Sequence, residues 1–482
     1  SGLLQQSTSE LTPGKTYKTS FEITEYTSGG VKLYSGSGSD TPSYKTSLGV
    51  HIAFFVANGN TTSFYSNSFI GSIDNVSVKE VLTANADFDF TRASTATRIN
   101  SQGLIETVAS NVPRLDYSNG DCPSLLLEPQ STNLITYSED LSNMQIAFGG
   151  AISLDSSFLN PSGENGSYFI YDTDGGSQAR FRVSNSGFTL GDKLSYSVFV
   201  KSDSSSSITI GGNYGSENCS FNVGTKTLTY QGTSVNSYEI INFTNGWTRY
   251  VVNTTFNNNV GTGDCFPFFT TNATLSEKIY IWGHQLEQNS YATSYIPTLT
   301  GTTQTRVAET CGGAGDASSI NSEEGVLYAE TATLANDGIR MISLSSGSNN
   351  DRVAISYNTN GRLDANIISG GGFQAIFNYT GVVNPNTQNK IALKYKLNDF
   401  ALWVNGVEVA TDSSGITPIG LSVLNLSSAS IAADPFYGNT KDLRVYNTAL
   451  SDEELIYLTG TLGEDYYDNY LEMSNNLNYT IQ

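Results

Sequence analysis

The sequence predicts an all-β protein, three β-sandwich domains joined by extended connectors. Three observations predict it. Apolar and aromatic residues alternate with polar ones in three separate stretches, the two-residue period of strands with one buried face. Charged residues are only 14% of the chain, and Ser, Thr, Asn and Gly take their place beside 28 Tyr and 23 Phe, a mixture suited to short strands and polar turns. Helix signals concentrate in a single place, Ser451 to Leu458. At 482 residues the chain also exceeds one ordinary domain.

Residues 1–82 form the first unit. Pro13-Gly14 makes a turn, and TYKTSFEIT (Thr16 to Thr24) puts Tyr17, Thr19, Phe21 and Ile23 on one face. His51 to Val56 is a short apolar strand, and Asn58-Gly59 after it signals a hairpin. IDNVSVKEV (Ile73 to Val81) alternates again and closes the unit. Because the chain opens at Ser1-Gly2 directly into a strand-like segment, this unit is expected to be truncated at its N-terminus. Residues 83–132 are the first connector. From Phe88 to Asp140, apolar residues recur singly at Leu104, Ile105, Val108 and Leu115, then together at Leu125 to Leu127, punctuated by Pro113, Pro123 and Pro129. They are too dispersed to bury one another and need a surface, either the flanking sandwiches or a neighbouring chain.

Residues 133–300 form a larger unit that repeats the first. FTLGDKLSYSVFVKS (Phe188 to Ser202) parallels LTPGKTYKTSFEIT (Leu11 to Thr24), and KIYIWGHQLEQNS (Lys278 to Ser290) parallels FIGSIDNVSVKEV (Phe69 to Val81). Lys193 thus corresponds to Lys15 and Ile279 to Ile73, two copies of one architecture. Residues 301–321 are a second connector rich in Gly, Thr and Ser. Residues 322–460 form the third unit, with strands in GVLYAETATL, RVAISYN and NKIALKYKLNDFALWVNGVEVA. Leu397-Asn398-Asp399 and Asn405-Gly406 turn the last of these back on itself. Ser451 with Glu454 three residues on is a capping box. In the tail, 461–482, Tyr466, Tyr467, Tyr470, Leu471 and Met473 either pack on a neighbouring subunit or belong to a loosely ordered terminus.

Several of these pieces resemble known families. FTRASTATRIN, GLIE, NVPRLDY, LLLEPQSTNL and TYSED, which run through the first connector, resemble a connector in structural proteins of tailed bacteriophages, especially fibres and spikes. The resemblance implies a virion-surface component, on capsid or tail, held to other virion proteins by sequence upstream of Ser1. GSIDNVSVKEV and IWGHQLEQNSYATSYIPT resemble carbohydrate-binding modules of the jelly-roll type. The third unit, most of all KDLRVYNTALSDEELIYLTG, resembles laminin-G-like, concanavalin A-type lectin domains. Together they imply a non-enzymatic fibre or spike that adheres to host-surface glycans, where many weak sites raise avidity by about 10²–10⁴-fold. A homotrimer, or another closed ring of copies, is expected from the connector. A capsid-decoration protein without a ligand and a polysaccharide depolymerase are the alternatives.

The net charge of −21, with Lys and Arg scattered, disfavours nucleic acid, which requires clustered cations. No apolar run reaches ~18 residues, so no membrane insertion is expected. Cys122, Cys219, Cys265 and Cys311 contain no CxxC pair. Cys219 and Cys265 fall in one unit and either pair or, like the others, stay as buried thiols. His51 and His284, the two histidines, sit in apolar strands and read as packed residues, leaving triads unsupported. A glycosidase needs two carboxylates sharing one cleft. Here Glu330 stands alone on its strand, and the adjacent Glu323 and Glu324 point to opposite faces.

Asp172 and Asp174, in DTDGG, could begin a calcium loop or simply cap a turn. Asn336-Asp337-Gly338 and Asp434 are weaker calcium candidates. Sugar recognition calls for aromatic rings beside polar groups. Tyr168, Tyr171 and Tyr214 in loops are the candidates, with Trp247 at a strand start, while Trp282 and Trp403 read as core. The sequons at Asn60, Asn253 and Asn272 are expected by chance in so Asn-, Ser- and Thr-rich a chain.

Overall fold

A computed structural model describes residues 2–6, 11, 16–34, 44–57, 59, 61–80, 88–118, 120, 122–173, 179–182, 187–202, 207–212, 215–257, 268–271, 277–381, 384–429 and 433–460. The chain divides into two compact units, Ser1–Ala86 and Asp87–Gln482. Both are β structures, with one α-helix among the described residues.

The N-terminal unit contains β1 (Gly2–Gln6), β2 (Thr16–Tyr34), β3 (Gly49–Val56) and β4 (Thr62–Glu80), all antiparallel in the order β1-β4-β2-β3. The alternation of TYKTSFEIT holds, for Tyr17, Thr19, Phe21 and Ile23 are all buried. Phe21, Ile23, Val31 and Leu33 cluster with Phe64, Phe69 and Ile73 of β4. Among the described residues these strands make a single sheet, where the sequence suggested a sandwich. Nor do β3 and β4 form a hairpin about Asn58-Gly59. They flank β2 on opposite sides, so the chain crosses from one side to the other. Gly29, at φ +79°, lets β2 pass so close to β4 that a Cβ would lie 2.1 Å from the Ser68 carbonyl oxygen. His51 is packed, its Nε2 donating to Ser47 O at 2.7 Å and its ring 5.6 Å from Phe21.

The first connector is made of short strands: β5 (Asp89–Thr91), β6 (Ala96–Ile99), β7 (Ile105–Val108), β8 (Arg114–Asp116), β9 (Ser124–Leu127) and β10 (Ser131–Asn133). β6 and β7 pair with each other.

The central sandwich follows, with β11 (Gln145–Phe148), β12 (Gly150–Leu159), β13 (Asn165–Asp172), β14 (Ala179–Arg182), β15 (Lys193–Lys201), β16 (Ser207–Gly211), β17 (Asn218–Asn222), β18 (Thr227–Gln231), β19 (Val235–Asn242), β20 (Thr248–Thr255), β21 (Phe268–Thr271) and β22 (Ile279–Glu287). Two six-stranded sheets, β11-β14-β21-β16-β17-β18 and β12-β13-β22-β15-β20-β19, enclose a core that includes Phe181, Tyr196, Val198 and Ile281. The run β13-β22-β15-β20 has the neighbour order of β1-β4-β2-β3 in the N-terminal sheet. The paired phrases around Ile73 and Ile279 occupy matching strands, β4 and β22, whereas Lys15 lies outside the described residues.

The C-terminal sandwich begins beyond β23 (Gln304–Arg306) and β24 (Thr310–Gly312). Its strands are β25 (Glu324–Thr333), β26 (Arg340–Ser345), β27 (Arg352–Tyr357), β28 (Leu363–Ser369), β29 (Gly372–Tyr379), β30 (Asn389–Lys396), β31 (Phe400–Val404), β32 (Val407–Asp412), β33 (Val423–Asn425) and β34 (Gly438–Tyr446). A seven-stranded sheet, β32-β31-β30-β25-β34-β9-β8, faces a five-stranded one, β29-β28-β27-β26-β33. Asn398 and Asn405 turn the two hairpins at φ +57° and +49°. The helix α1 (Asp452–Thr459) starts at the expected capping box. Ser451 Oγ accepts from Glu454 N, and Ser451 N donates to Glu454 Oε2 at 2.6 Å. Leu455 of α1 is buried against Val326, Tyr328 and Trp403.

The connectors are therefore sheet-forming segments. β8 and β9 extend the C-terminal sheet, while β5 pairs with β24 and β10 with β23. Leu125 and Leu127 enter the C-terminal core, and Ile105 packs on the central sandwich. The surface that these residues required lies in the same chain, which removes the reason given for a homotrimer. Leu115 stays exposed.

Candidate ligand-binding face

The sheet that carries the site is β12-β13-β22-β15-β20-β19. Strand alternation turns Ile170, Tyr196, Val198 and Ile281 into the sandwich and Phe169, Phe199, Tyr280 and Trp282 out of it. This outer face has two halves.

One half lies beneath the connectors. Phe199, Trp247, Trp282 and Tyr295 close around Ile105. Beside them is a buried ionic cluster. Glu309 accepts from Arg92 Nη1 (2.7 Å) and Arg114 Nε (2.9 Å) and also pairs with Arg114 Nη2. Glu128 pairs with Arg114 Nη1 (2.7 Å) and Arg306 Nη1 (2.9 Å) and accepts from Ser294 N and Oγ. Glu287 accepts from Ser131 Oγ (2.6 Å), Gln285 Nε2 (2.8 Å) and Thr293 N (3.0 Å). All of these side chains are buried except that of Ser294, which is partly so. Burial alone would raise the Glu128 pKa, but Arg306 and Arg114 outweigh it and hold the group at about 2. The cluster ties both connectors to the central sandwich and to β9. Nearby, burial lowers His284 to about 4, and its Nε2 donates to Tyr137 O at 3.0 Å, the bond of a neutral, structural imidazole.

The other half is open. Phe158, Phe169, Tyr171 and Tyr280 are half-buried there. A bulge between Asp155 and Leu159 turns Phe158 outward, where strict alternation would send it inward. Its ring stacks on Tyr280 with centroids 3.5 Å apart and planes at 6°. Phe169 lies 5.6 Å from both Tyr280 and Tyr171. Tyr280 Oη donates to Asp155 Oδ2 (3.0 Å), and Asp155 Oδ1 accepts from Ser157 N and Oγ. Two ammonium groups complete the face, Lys278 Nζ at 4.3 Å over Phe169 and Lys201 Nζ at 5.2 Å over Phe158. Half-exposed rings beside polar groups suit a sugar, whose C–H faces pack on the aromatics while its hydroxyls find hydrogen bonds.

Of the residues singled out in the sequence, Tyr171 lies on this face. Tyr168 is on the opposite side of β13, packed against the core. Trp247 is buried at 1% exposure behind Phe158, its Nε1 donating to Leu159 O at 3.0 Å, so no ring face remains for a ligand. Trp282 and Trp403 are buried, as read. Tyr214, Asp174 and Cys265 lie outside the described residues. Asp172 is buried, and among the described residues no group of three or more His, Cys, Asp and Glu side chains could hold a metal. Asp337 pairs with Arg340 at 2.5 Å. Cys219 and Cys311 are free thiols whose pKa burial pushes up to about 12, and Cys122 is exposed. Asn253 is no glycosylation acceptor, being buried and bonded to Ser195 and Ser237. Phe158, Phe169, Tyr280 and Lys278 were missed. Their signal was aromatics at both parities in SYFIYD and KIYIW, strands with a second face to furnish.

Residues 329–456 match a family model described as Laminin_G_3, concanavalin A-like lectin/glucanases superfamily. The C-terminal sandwich, from within β25 into α1, is thus a laminin-G-like domain. Domains of this kind are mostly binding modules. No curated protein matches the chain. Among solved structures, mouse laminin alpha1 chain domains LG4-5 are 10% identical with a TM-score of 0.21, covering 57% of this chain and 89% of that one. The LG1-3 region of the laminin alpha2 chain is 10% identical with a TM-score of 0.17, covering 93% of this chain and 96% of that one.

Proposed function

We propose that this chain is a non-enzymatic adhesin, a fibre or spike component of a tailed bacteriophage that binds host-surface glycans. The observation that supports glycan binding is the open aromatic face, with Phe169 and Tyr280 half-exposed and Asp155, Lys201 and Lys278 around them. The laminin-G-like domain at the C-terminus agrees with a binding role. The placement on a virion, on capsid or tail, rests on the phage-like connector phrases alone. A three-domain organisation, with the first unit a single sheet among the described residues, belongs to the same proposal. Multivalency comes from copies arrayed on the particle, whether or not they form a homotrimer.

Hydrolysis is the weaker reading. Glu330 is paired with Lys441 at 3.3 Å and Glu324 with Lys396 at 2.8 Å, and Asp442, across from Glu330 in the strand register, is paired with Arg444, so none of the three carboxylates stands free. Incubating the protein with host capsule or lipopolysaccharide tests the proposal. Binding without release of reducing ends is expected. Release of reducing ends would make it an enzyme, and an absence of binding would leave only a structural role.

A further inference from the structure

Resting on the glycan-binding reading, we infer that the open half of the central sheet selects an anionic polysaccharide, one that carries carboxylates of the uronic-acid kind. Among the described residues three charged groups adjoin these rings, Asp155, Lys201 and Lys278, and they are not equivalent. Both oxygens of the Asp155 carboxylate are occupied by its own surroundings, Oδ2 by Tyr280 Oη and Oδ1 by Ser157 N and Oγ. It is a fixed part of the floor. Lys278 is exposed, and among the described residues its ammonium makes no direct ion pair; it lies 4.3 Å over the Phe169 ring, near enough to Asp155 for its charge to help keep that carboxyl ionised, while both Asp155 oxygens are bonded elsewhere. Lys201 Nζ sits over Phe158 and gives one hydrogen bond, to Asn245 O at 2.9 Å, which leaves two of its three donor positions.

The offer to a ligand is therefore two cations above aromatic rings, in a protein whose net charge is −21. The general field repels polyanions, so this exception is local and directional. Lys201 lies directly across from Tyr280 in the strand register, and Lys278 follows on the same face of the neighbouring strand. A sugar ring packed on Phe169 would place an equatorial carboxylate within reach of Lys278, forming a charge-assisted hydrogen bond. A neutral sugar would gain the ring contact and lose this bond.

The test uses the full chain and three probes: polygalacturonate, the same polymer with its carboxylates reduced to alcohols, and neutral dextran. Affinity is measured at low and at 0.5 M salt, with thermal melting as a check on each variant's fold. Tighter binding of polygalacturonate than of its reduced form is expected, by about tenfold, the ratio set by one charge-assisted bond, and salt should narrow the gap. Lys278→Gln should abolish that preference by weakening polygalacturonate about tenfold more than its reduced form, and Lys278→Arg should restore it. Phe169→Ala should weaken both polymers. Equal binding of the two polymers, or a preference that survives Lys278→Gln, overturns the anionic assignment but keeps the glycan reading. Failure of all three probes to bind, or binding indifferent to Phe169→Ala, overturns both.

Discussion

The two halves of the outer face of the central sheet are built from similar strands and have opposite finish. Beneath the connectors each oxygen of Glu128, Glu287 and Glu309 has a donor. On the open half, aromatic rings are half-covered and the Lys278 ammonium makes no direct ion pair among the described residues, acting on Asp155 only at a distance. Charge in the covered half is satisfied internally and serves cohesion. Charge in the open half is left available. Polar residues on one sheet can thus have separate purposes, and what decides between them is whether the chain itself supplies the partner.

The sharpest way to break this contrast is to remove one member of the covered cluster. Glu309→Ala leaves Arg92 buried without its counter-charge and Arg114 with Glu128 alone, and should cost about 3–5 kcal/mol of stability by denaturant unfolding, with no new ligand specificity. A loss below about 1 kcal/mol would mean that water reaches the cluster.

Acid should act on the covered half in two windows. Glu128, ordinarily near 4.5, is held at about 2, so its stabilising contribution is full above pH 4.5 and disappears as pH falls through 2. His284 is ordinarily near 6.5 and is lowered to about 4. As pH drops below 6.5 the unfolded chain gains a proton that the fold refuses, so stability falls by roughly 3 kcal/mol until pH 4 and then levels off. Replacing His284 with Gln should flatten the upper window and leave the lower one. Unfolding free energies measured from pH 7 to pH 3 decide this.

On the open half, Phe169→Ala should cost only about 1–2 kcal/mol in stability, less than a core Phe, because the ring is already half in water, while weakening glycan binding. A loss as large as that of Glu309→Ala would show the ring to be structural and erase the contrast. The smallest expected effect lies away from both halves. Ser451→Ala removes the capping box of α1 and should lower stability by ~1 kcal/mol without altering ligand binding.

Local chemistry was legible in the sequence. The alternation of Tyr17, Thr19, Phe21 and Ile23, the capping box at Ser451 and the turn at Asn405-Gly406 each depend on a few neighbouring residues. The ionic cluster was not legible, because Arg92, Arg114, Glu128, Arg306 and Glu309 meet from positions far apart, and no spacing encodes a meeting of that kind. A hint existed in Arg114 between Pro113 and Leu115 and in Glu128 after three leucines, charges set where apolar residues prevail. The candidate face was half legible. Tyr171 was read from its loop-like setting, but Phe158 depends on a bulge that reverses its parity, and strict alternation misassigns it.

The pairing of β9 with β34 bears on how the protein is made. Leu125, Leu126 and Leu127 leave the ribosome long before the strand they pair with, from Gly438 to Thr440. Until Gly438 emerges these leucines have no partner on that side, and a sticky strand edge is exposed while the central sandwich takes shape. A chain interrupted before Gly438 keeps that edge permanently. Premature termination should therefore give aggregates rather than a shorter soluble protein, and completion of the C-terminal domain is the event that closes the first connector.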